Sequence, residues 1–133
     1  MFQLRFGIPL FIAAAWNIGI AAISLIDIDQ HLSTFFNSQE SSPDRVARIY
    51  LLGFWFAIAA FGIGYGLVAY NHKRNRGFIS IGIPGKILFF SIMAWLWSQG
   101  IATNTAFVLG SGDLIFALFF IWFLFQTREY GFY

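Results

Sequence analysis

The chain has 133 residues, of which 59% are apolar, 21% aromatic and only 11% charged, with a formal net charge of +2. A soluble domain of this size could not bury so much apolar surface, so the composition excludes a soluble globular protein and predicts an integral membrane protein. The chain contains no cysteine, which excludes disulfide exchange, iron–sulfur ligation and thiolate zinc sites.

Segment length identifies the membrane spans, because a hydrocarbon core about 30 Å thick requires about 20 helical residues. Four apolar segments reach that length. They predict an all-α polytopic membrane protein, a compact antiparallel bundle of four transmembrane helices that forms a single membrane domain over residues 1–133. The predicted spans cover residues 6–26, 45–70, 78–99 and 104–126, and the main loops cover residues 27–44 and 71–77.

The first span carries no formal charge, and Asp27 and Asp29 follow its end. Its apolar run is longer than the roughly 7 to 15 residues of a signal peptide, so we expect a retained helix. Asn17 lies near the middle of this span. An amide at that depth either joins two helices by a hydrogen bond or takes part in a polar site.

The loop at residues 27–44 contains three apolar residues, Leu32, Phe35 and Phe36, that could form one face of a short helical turn in the headgroup region. The sequence Ser-Pro-Asp at residues 42–44 is typical of a helix start, with a capping hydroxyl, a proline at the first helical position and an acid in the first turn. We expect the next two arginines to be solvated or to pair with acids of the loop: Arg45 and Arg48 with Asp27 or Asp29.

The second span contains the spacing Gly62-x-x-x-Gly66, which lets helix backbones approach closely in lipid. This pair predicts close packing, either within the monomer or across a homodimer. Tyr65 lies between the two glycines. It is placed to meet a polar group in the bundle, or else to join Tyr70 in the aromatic belt at the membrane interface.

The distribution of arginine and lysine between the loops predicts the orientation. The side that holds both termini and the loop at residues 71–77 collects five positive residues, whereas the loop at 27–44 is followed by only two arginines. We therefore expect a multi-pass protein of the cytoplasmic (inner) membrane, with both termini cytoplasmic and the loop at 27–44 outside. The five residues are Arg5, Lys73, Arg74, Arg76 and Arg128.

Lys86 in the third span and Asp113 in the fourth are the strongest pointers to a site. At 1.5 Å per residue, both lie about 12 to 14 Å inside the membrane from opposite ends, so their depths differ by only about 4 to 5 Å. Each charge costs roughly 2.5 to 3.5 kcal/mol at the centre of a transmembrane helix, and this cost favours an ion pair between the two residues.

Each of these two residues also has an alternative placement. If the third helix began only at Pro84, Lys86 would lie in its first turn and extend to the cytoplasmic headgroups. Asp113 could not be interfacial, because the rest of its span would be too short to cross the membrane. Two glycines, Gly110 and Gly112, could instead break the fourth helix and leave Asp113 at the start of its inner half.

No motif predicts a cofactor, a metal or a catalytic residue. The two histidines, His31 and His72, belong to loops on opposite sides of the membrane, and no serine has a histidine or carboxylate at a useful depth. The basic segment at residues 71–77 is too short and too lightly charged to indicate nucleic-acid binding. Contact with membrane lipid is the expected use of these charges.

We predict an intramembrane polar cluster that brings one residue from each span together as a candidate binding site: Asp113, Lys86, Asn17 and Tyr65. The leading interpretation is a proton- or ion-coupled small-molecule transporter or an ion-conducting unit. The alternative is an accessory or scaffold subunit of a larger membrane complex, in which the charge pair fixes helix register. A membrane enzyme acting on lipid or quinone is a third reading, without a general base to support it.

Overall fold

The computed structural model describes residues 2–37 and 44–130, with side chains from residue 5 onward. This part of the chain is all-helical, with one isolated backbone bridge between Phe36 and Ala102 in place of any sheet. Its helices are α1 (Phe2–Ile26), α2 (Ile28–Phe35), α3 (Arg45–Tyr70), α4 (Gly77–Ser98) and α5 (Asn104–Gln126), followed by a 3-10 turn at Arg128–Tyr130.

Four of the described helices are long and apolar enough to cross a membrane. The all-α prediction with four spans is therefore confirmed, and the protein is membrane-embedded. The predicted bounds agree with the spans to within one residue, although the helix α1 begins earlier, at Phe2. The spans run over Arg5–Ile26, Arg45–Tyr70, Gly77–Ser98 and Asn104–Gln126, with 22, 26, 22 and 23 residues.

Side-chain caps explain where three helices begin. Asp27, Asp44 and Thr103 have extended backbones, and each accepts a hydrogen bond from the amide three residues later, at 2.9, 2.8 and 3.1 Å. The proposed capping hydroxyl and first-turn proline at residues 42 and 43 lie outside the described residues. The placement of Asp44 inside the first turn was wrong, because Asp44 is itself the cap of α3.

The short helix α2 closes one end of the bundle, which we call the α2 end; the opposite end, which holds residue 5 and residue 130, is the termini end. The predicted short helical turn is present as α2, and Phe35 at its end is buried against the bundle. Its carbonyl accepts a hydrogen bond from the Thr103 amide at 2.9 Å. Outside the core, Arg48 pairs with Asp29 at 2.6 Å, which confirms the predicted surface ion pair.

The bundle consists of two tightly packed antiparallel pairs, α1 with α3 and α4 with α5, whereas α3 and α4 touch over a shorter stretch. Gly62 faces α1, and a Cβ atom there would lie 2.7 Å from Ile18 Cγ1 and 3.1 Å from the Ala14 carbonyl oxygen. The close packing predicted for this glycine thus occurs within the monomer. A homodimer through Gly62 and Gly66 stays a prediction, and it would require α1 to leave Gly62.

The apolar core falls into two layers along the bundle axis. One layer, towards the termini end, includes Phe6, Val68 and Phe120. The other, towards the α2 end, includes Ala21, Trp55 and Met93. Asn17, Lys86 and Asp113 each lie between the members of these two layers along their helices, whereas Tyr65 is itself part of the first layer. The bundle therefore holds a polar level between two apolar ones.

Candidate functional site

An ion pair between Lys86 and Asp113 lies at the centre of the polar level. Lys86 Nζ is 2.5 Å from Asp113 Oδ1, and the two side chains are 5% and 15% exposed. The alternative in which Lys86 reaches the headgroups is wrong, because α4 begins at Gly77 and continues through Pro84. Proline is tolerated inside a transmembrane helix when its surroundings satisfy the backbone. A break in α5 at its glycines is also wrong, since that helix is continuous.

Asn17 and Tyr65 complete the surroundings of the ammonium group. Lys86 Nζ donates a hydrogen bond of 2.8 Å to Asn17 Oδ1, and the Asn17 amide nitrogen donates at 3.3 Å to the Ile58 carbonyl. The Tyr65 ring centroid lies 5.5 Å from Lys86 Nζ, within cation–π range. Tyr65 is 1% exposed, so it does not share the interfacial position of Tyr70, which is 86% exposed. The structure therefore brings all four candidate residues together.

Sequence patterns did not indicate two aromatic neighbours of the pair. The Phe116 ring lies 5.4 Å from Lys86 Nζ. The Trp16 indole packs against Gly112, where a Cβ would lie 2.6 Å from the ring, and Trp16 and Asp113 line the same small cavity. The glycine at position 112 is the only local signal, because a small residue beside an intramembrane acid leaves space for a large ring.

A lateral crevice leads from the surface of the bundle to the ion pair. This α3–α4 crevice has a volume of about 210 Å³ and lies between two helices that pack less closely than α1 with α3 or α4 with α5. Its rim includes Ile81 and Leu88, which are 62% and 60% exposed. Its walls are apolar and aromatic, with Phe54, Phe61 and Phe89, and its polar lining residues are Asn17, Tyr65, Lys86 and Asp113.

A much smaller cavity lies on the α2 side of the pair. It measures about 20 Å³, enough for one water molecule, and Asn17 and Asp113 line it with Trp16 and Trp55. The Trp55 indole N–H is buried, and no protein acceptor among residues 5–37 and 44–130 bonds to it. A buried donor of this kind favours an ordered water as its partner.

A third pocket, of about 240 Å³, lies at the α2 end and shares Phe35 with the small cavity. Ser24, Asp27 and His31 line it. Ser24 Oγ and His31 Nδ1 are 3.0 Å apart and share a hydrogen bond, so the expectation that no serine would meet a histidine is wrong for Ser24. The His31 imidazole packs edge-on to the Trp55 ring at 4.8 Å. Phe35, together with Ile20 and Leu109, thus lines both this surface pocket and the cavity beside Asp113.

Lowering the pH should loosen the contact of α2 with the bundle. Burial lowers the pKa of His31 below its ordinary value of 6.5. The unfolded chain therefore takes up the proton first, so the stability contributed by neutral His31 is complete above about pH 6.5 and declines as the pH falls. We expect the thermal unfolding midpoint to fall between pH 7.5 and pH 5, and the fall to be smaller in His31→Gln.

Comparing the wild type with His31→Gln isolates this residue, because His72 at the termini end also has a lowered pKa, from burial and then from Lys73. Equal pH dependence in the two proteins would contradict the assignment.

The two histidines lie at opposite ends of the bundle, and the described residues contain no group of three or more side chains that could hold a metal ion.

The arrangement offers one exchangeable acid in a low-dielectric environment, with its counter-ion in contact. Proton transfer between the two groups converts the ion pair into a neutral acid and amine, and protonation of Asp113 from outside would release Lys86 to Asn17 alone. Each state changes how strongly α4 and α5 attract each other.

Comparisons with protein-family models, with curated proteins and with solved structures give no match, so function must be argued from this site.

Proposed function

We propose that this protein is a small proton- or ion-coupled transporter or ion-conducting unit, in which Asp113 exchanges a proton or cation and Lys86 is its intramembrane counter-ion. The observation that carries the proposal is the position of Asp113, which lines both the α3–α4 crevice and the small cavity. The α3–α4 crevice reaches it from the bilayer, and the small cavity approaches it from the α2 end. Asp113 is also the only acid within the four spans.

Asp113 would exchange its proton by way of the small cavity, from the α2 end. Water in the small cavity would hydrogen-bond to the Trp55 N–H and contact the Asp113 carboxylate. Displacement of Phe35 would join that water to the pocket that holds Ser24 and His31. A protonated Asp113 no longer attracts Lys86 as an ion, so α4 and α5 can separate. This movement would change the side of the membrane from which the pair is accessible.

Proton flux into proteoliposomes tests this function. With a potassium diffusion potential and an internal pH-sensitive dye, we expect wild-type vesicles to take up protons faster than empty liposomes. Asp113→Asn should reduce that excess at least about tenfold, because it removes the exchangeable acid and keeps its shape. Glu129→Gln, an exposed acid outside the spans, is the matched control and should leave the flux unchanged. A wild-type flux equal to that of empty or Asp113→Asn vesicles would contradict the proposal.

A scaffold role is the second candidate, and a specific observation favours it. Lys86 donates hydrogen bonds to both Asp113 and Asn17, and the pair lies between two apolar layers, which suits a device that fixes the register of α4 against α5. In that case Asp113→Asn would destabilise the protein, or its assembly with other membrane subunits, without any effect on proton movement. The flux and the stability of this single variant distinguish the two roles.

We also propose that the α2 end faces the outside of a cytoplasmic (inner) membrane and the termini end faces the cytoplasm, because the basic residues gather at the latter. Since the chain has no cysteine, single cysteines report position directly. In intact cells, an impermeant thiol reagent should label Gln30→Cys and should label Glu129→Cys only after permeabilisation. Both positions are exposed and neither change removes a positive charge. The reverse pattern would overturn the orientation.

A further inference from the structure

The α3–α4 crevice combines three properties that together define a ligand. Its volume of about 210 Å³ exceeds the roughly 150 Å³ of an apolar protein cavity that holds benzene, so it has space for one substituted ring. Its walls carry the rings of Phe54, Phe61 and Phe89. At its inner end lie an ammonium, a carboxylate and a phenol hydroxyl, from Lys86, Asp113 and Tyr65.

The charge at this inner end is balanced, and this determines the charge of the ligand. Lys86 and Asp113 neutralise each other at 2.5 Å. An ionic ligand would therefore bring an uncompensated charge into an environment of low dielectric, which is costly. A neutral hydroxyl fits, because it can accept a hydrogen bond from Lys86 while it donates one to Asp113.

The walls determine the shape of the ligand. Aromatic side chains favour an aromatic partner in edge-on or offset geometry, because such pairs gain binding free energy beyond that of the buried apolar area. Access is from the side of the bundle, past Ile81 and Leu88, the exposed rim residues on α4. A molecule that partitions into the bilayer reaches this opening directly, whereas a strongly hydrated one does not.

We propose that the α3–α4 crevice binds a neutral hydroxyl-bearing aromatic molecule that enters from the bilayer and places its hydroxyl against the Lys86–Asp113 pair. This inference rests on the proposed function, for which it names the class of molecule moved. Breaking or protonating the pair would then change the affinity for the ligand, which is the coupling that a transporter needs.

The test is binding of 4-fluorophenol to the protein in lipid nanodiscs, followed by fluorine NMR against empty nanodiscs. The wild type should show a saturable component in addition to partition into lipid. 4-Fluorotoluene has a methyl group in place of the hydroxyl. It should bind at least about tenfold more weakly, because a hydrogen bond to a charged group is worth about that much.

Two glycines provide a matched pair of variants. Gly85 lines the crevice, Gly19 lies on the lipid-facing side of α1, and a Cβ atom at either position meets nothing within 4 Å. Both substitutions by leucine should therefore fold. Gly85→Leu places a side chain in the crevice and should abolish the saturable component, whereas Gly19→Leu should retain it. Asp113→Asn should weaken phenol binding about tenfold through loss of the charged acceptor.

Uptake of 4-fluorophenol no greater than in empty nanodiscs would mean that lipid acyl chains fill the crevice, and would overturn the inference. Equal binding of 4-fluorotoluene, or full binding by Gly85→Leu, would overturn it as well. The proton-flux experiment is independent of this outcome. Flux without phenol binding would retain the proposed function and reject this ligand class. Phenol binding without flux would retain the ligand class and reject the proposed function.

Discussion

Replacing Asp113 by alanine should lower the free energy of unfolding by about 3 kcal/mol. The reason is that the change leaves the Lys86 ammonium, which is 5% exposed, inside the bundle without its counter-ion. The remaining hydrogen bond, to Asn17 at 2.8 Å, is to a neutral acceptor and replaces little of the lost attraction. Reversible unfolding of the purified protein in mixed micelles measures the change.

A double substitution distinguishes the net contribution of the ion pair to stability from the penalty of leaving one of its charges unpaired. Lys86→Met with Asp113→Ala removes both charges without adding side-chain volume, so its stability should lie within about 1 kcal/mol of the wild type, or above it. Each single change should be clearly worse than the double change, which is the signature of direct coupling. Additive losses in this cycle would mean that the two charges do not interact in the membrane.

Gly62→Val should lower the free energy of unfolding by about 2 to 3 kcal/mol, by forcing α1 and α3 apart. Its Cβ would lie 2.7 Å from Ile18 Cγ1 and, more seriously, 3.1 Å from a backbone oxygen, that of Ala14, which cannot rotate away. Gly53→Val on the same helix is the matched control. A Cβ there meets nothing within 4 Å, so that variant should stay within about 0.5 kcal/mol of the wild type.

The same variant distinguishes packing within the monomer from packing between monomers. If Gly62 mainly served a homodimer, Gly62→Val would shift the protein towards monomers in a crosslinking or light-scattering experiment and leave monomer stability nearly unchanged. We expect the reverse, a loss of stability at constant oligomeric state. Separation of the helices should also lengthen the contact between Asn17 and the Ile58 carbonyl, and with it weaken the support of Lys86.

The position of each polar residue along its helix could be predicted because depth is a local property. A fixed rise per residue converts distance along the chain into depth, so Lys86 and Asp113 were expected at nearly the same level. The short connection between their helices then made contact the natural consequence. The same arithmetic left the start of α4 open, because a proline at position 84 is compatible with both a helix start and a helix interior.

The features beyond this local arithmetic depend on which helices touch, and no local pattern carries that information. Trp16 meets Asp113 only because α1 packs beside α5 at Gly112. Phe35 is buried only because α2 folds back over the bundle and bonds to Thr103.

The sequence by itself thus determined the membrane class, the four spans and the depth of the polar residues, since hydropathy and helix length act along the chain. Only the tertiary structure decided the rotation of each helix about its axis. That rotation depends on the packing of surfaces distant in sequence, and it forms the crevice, the water-sized cavity and the pairing of Lys86 with Asn17 and Asp113.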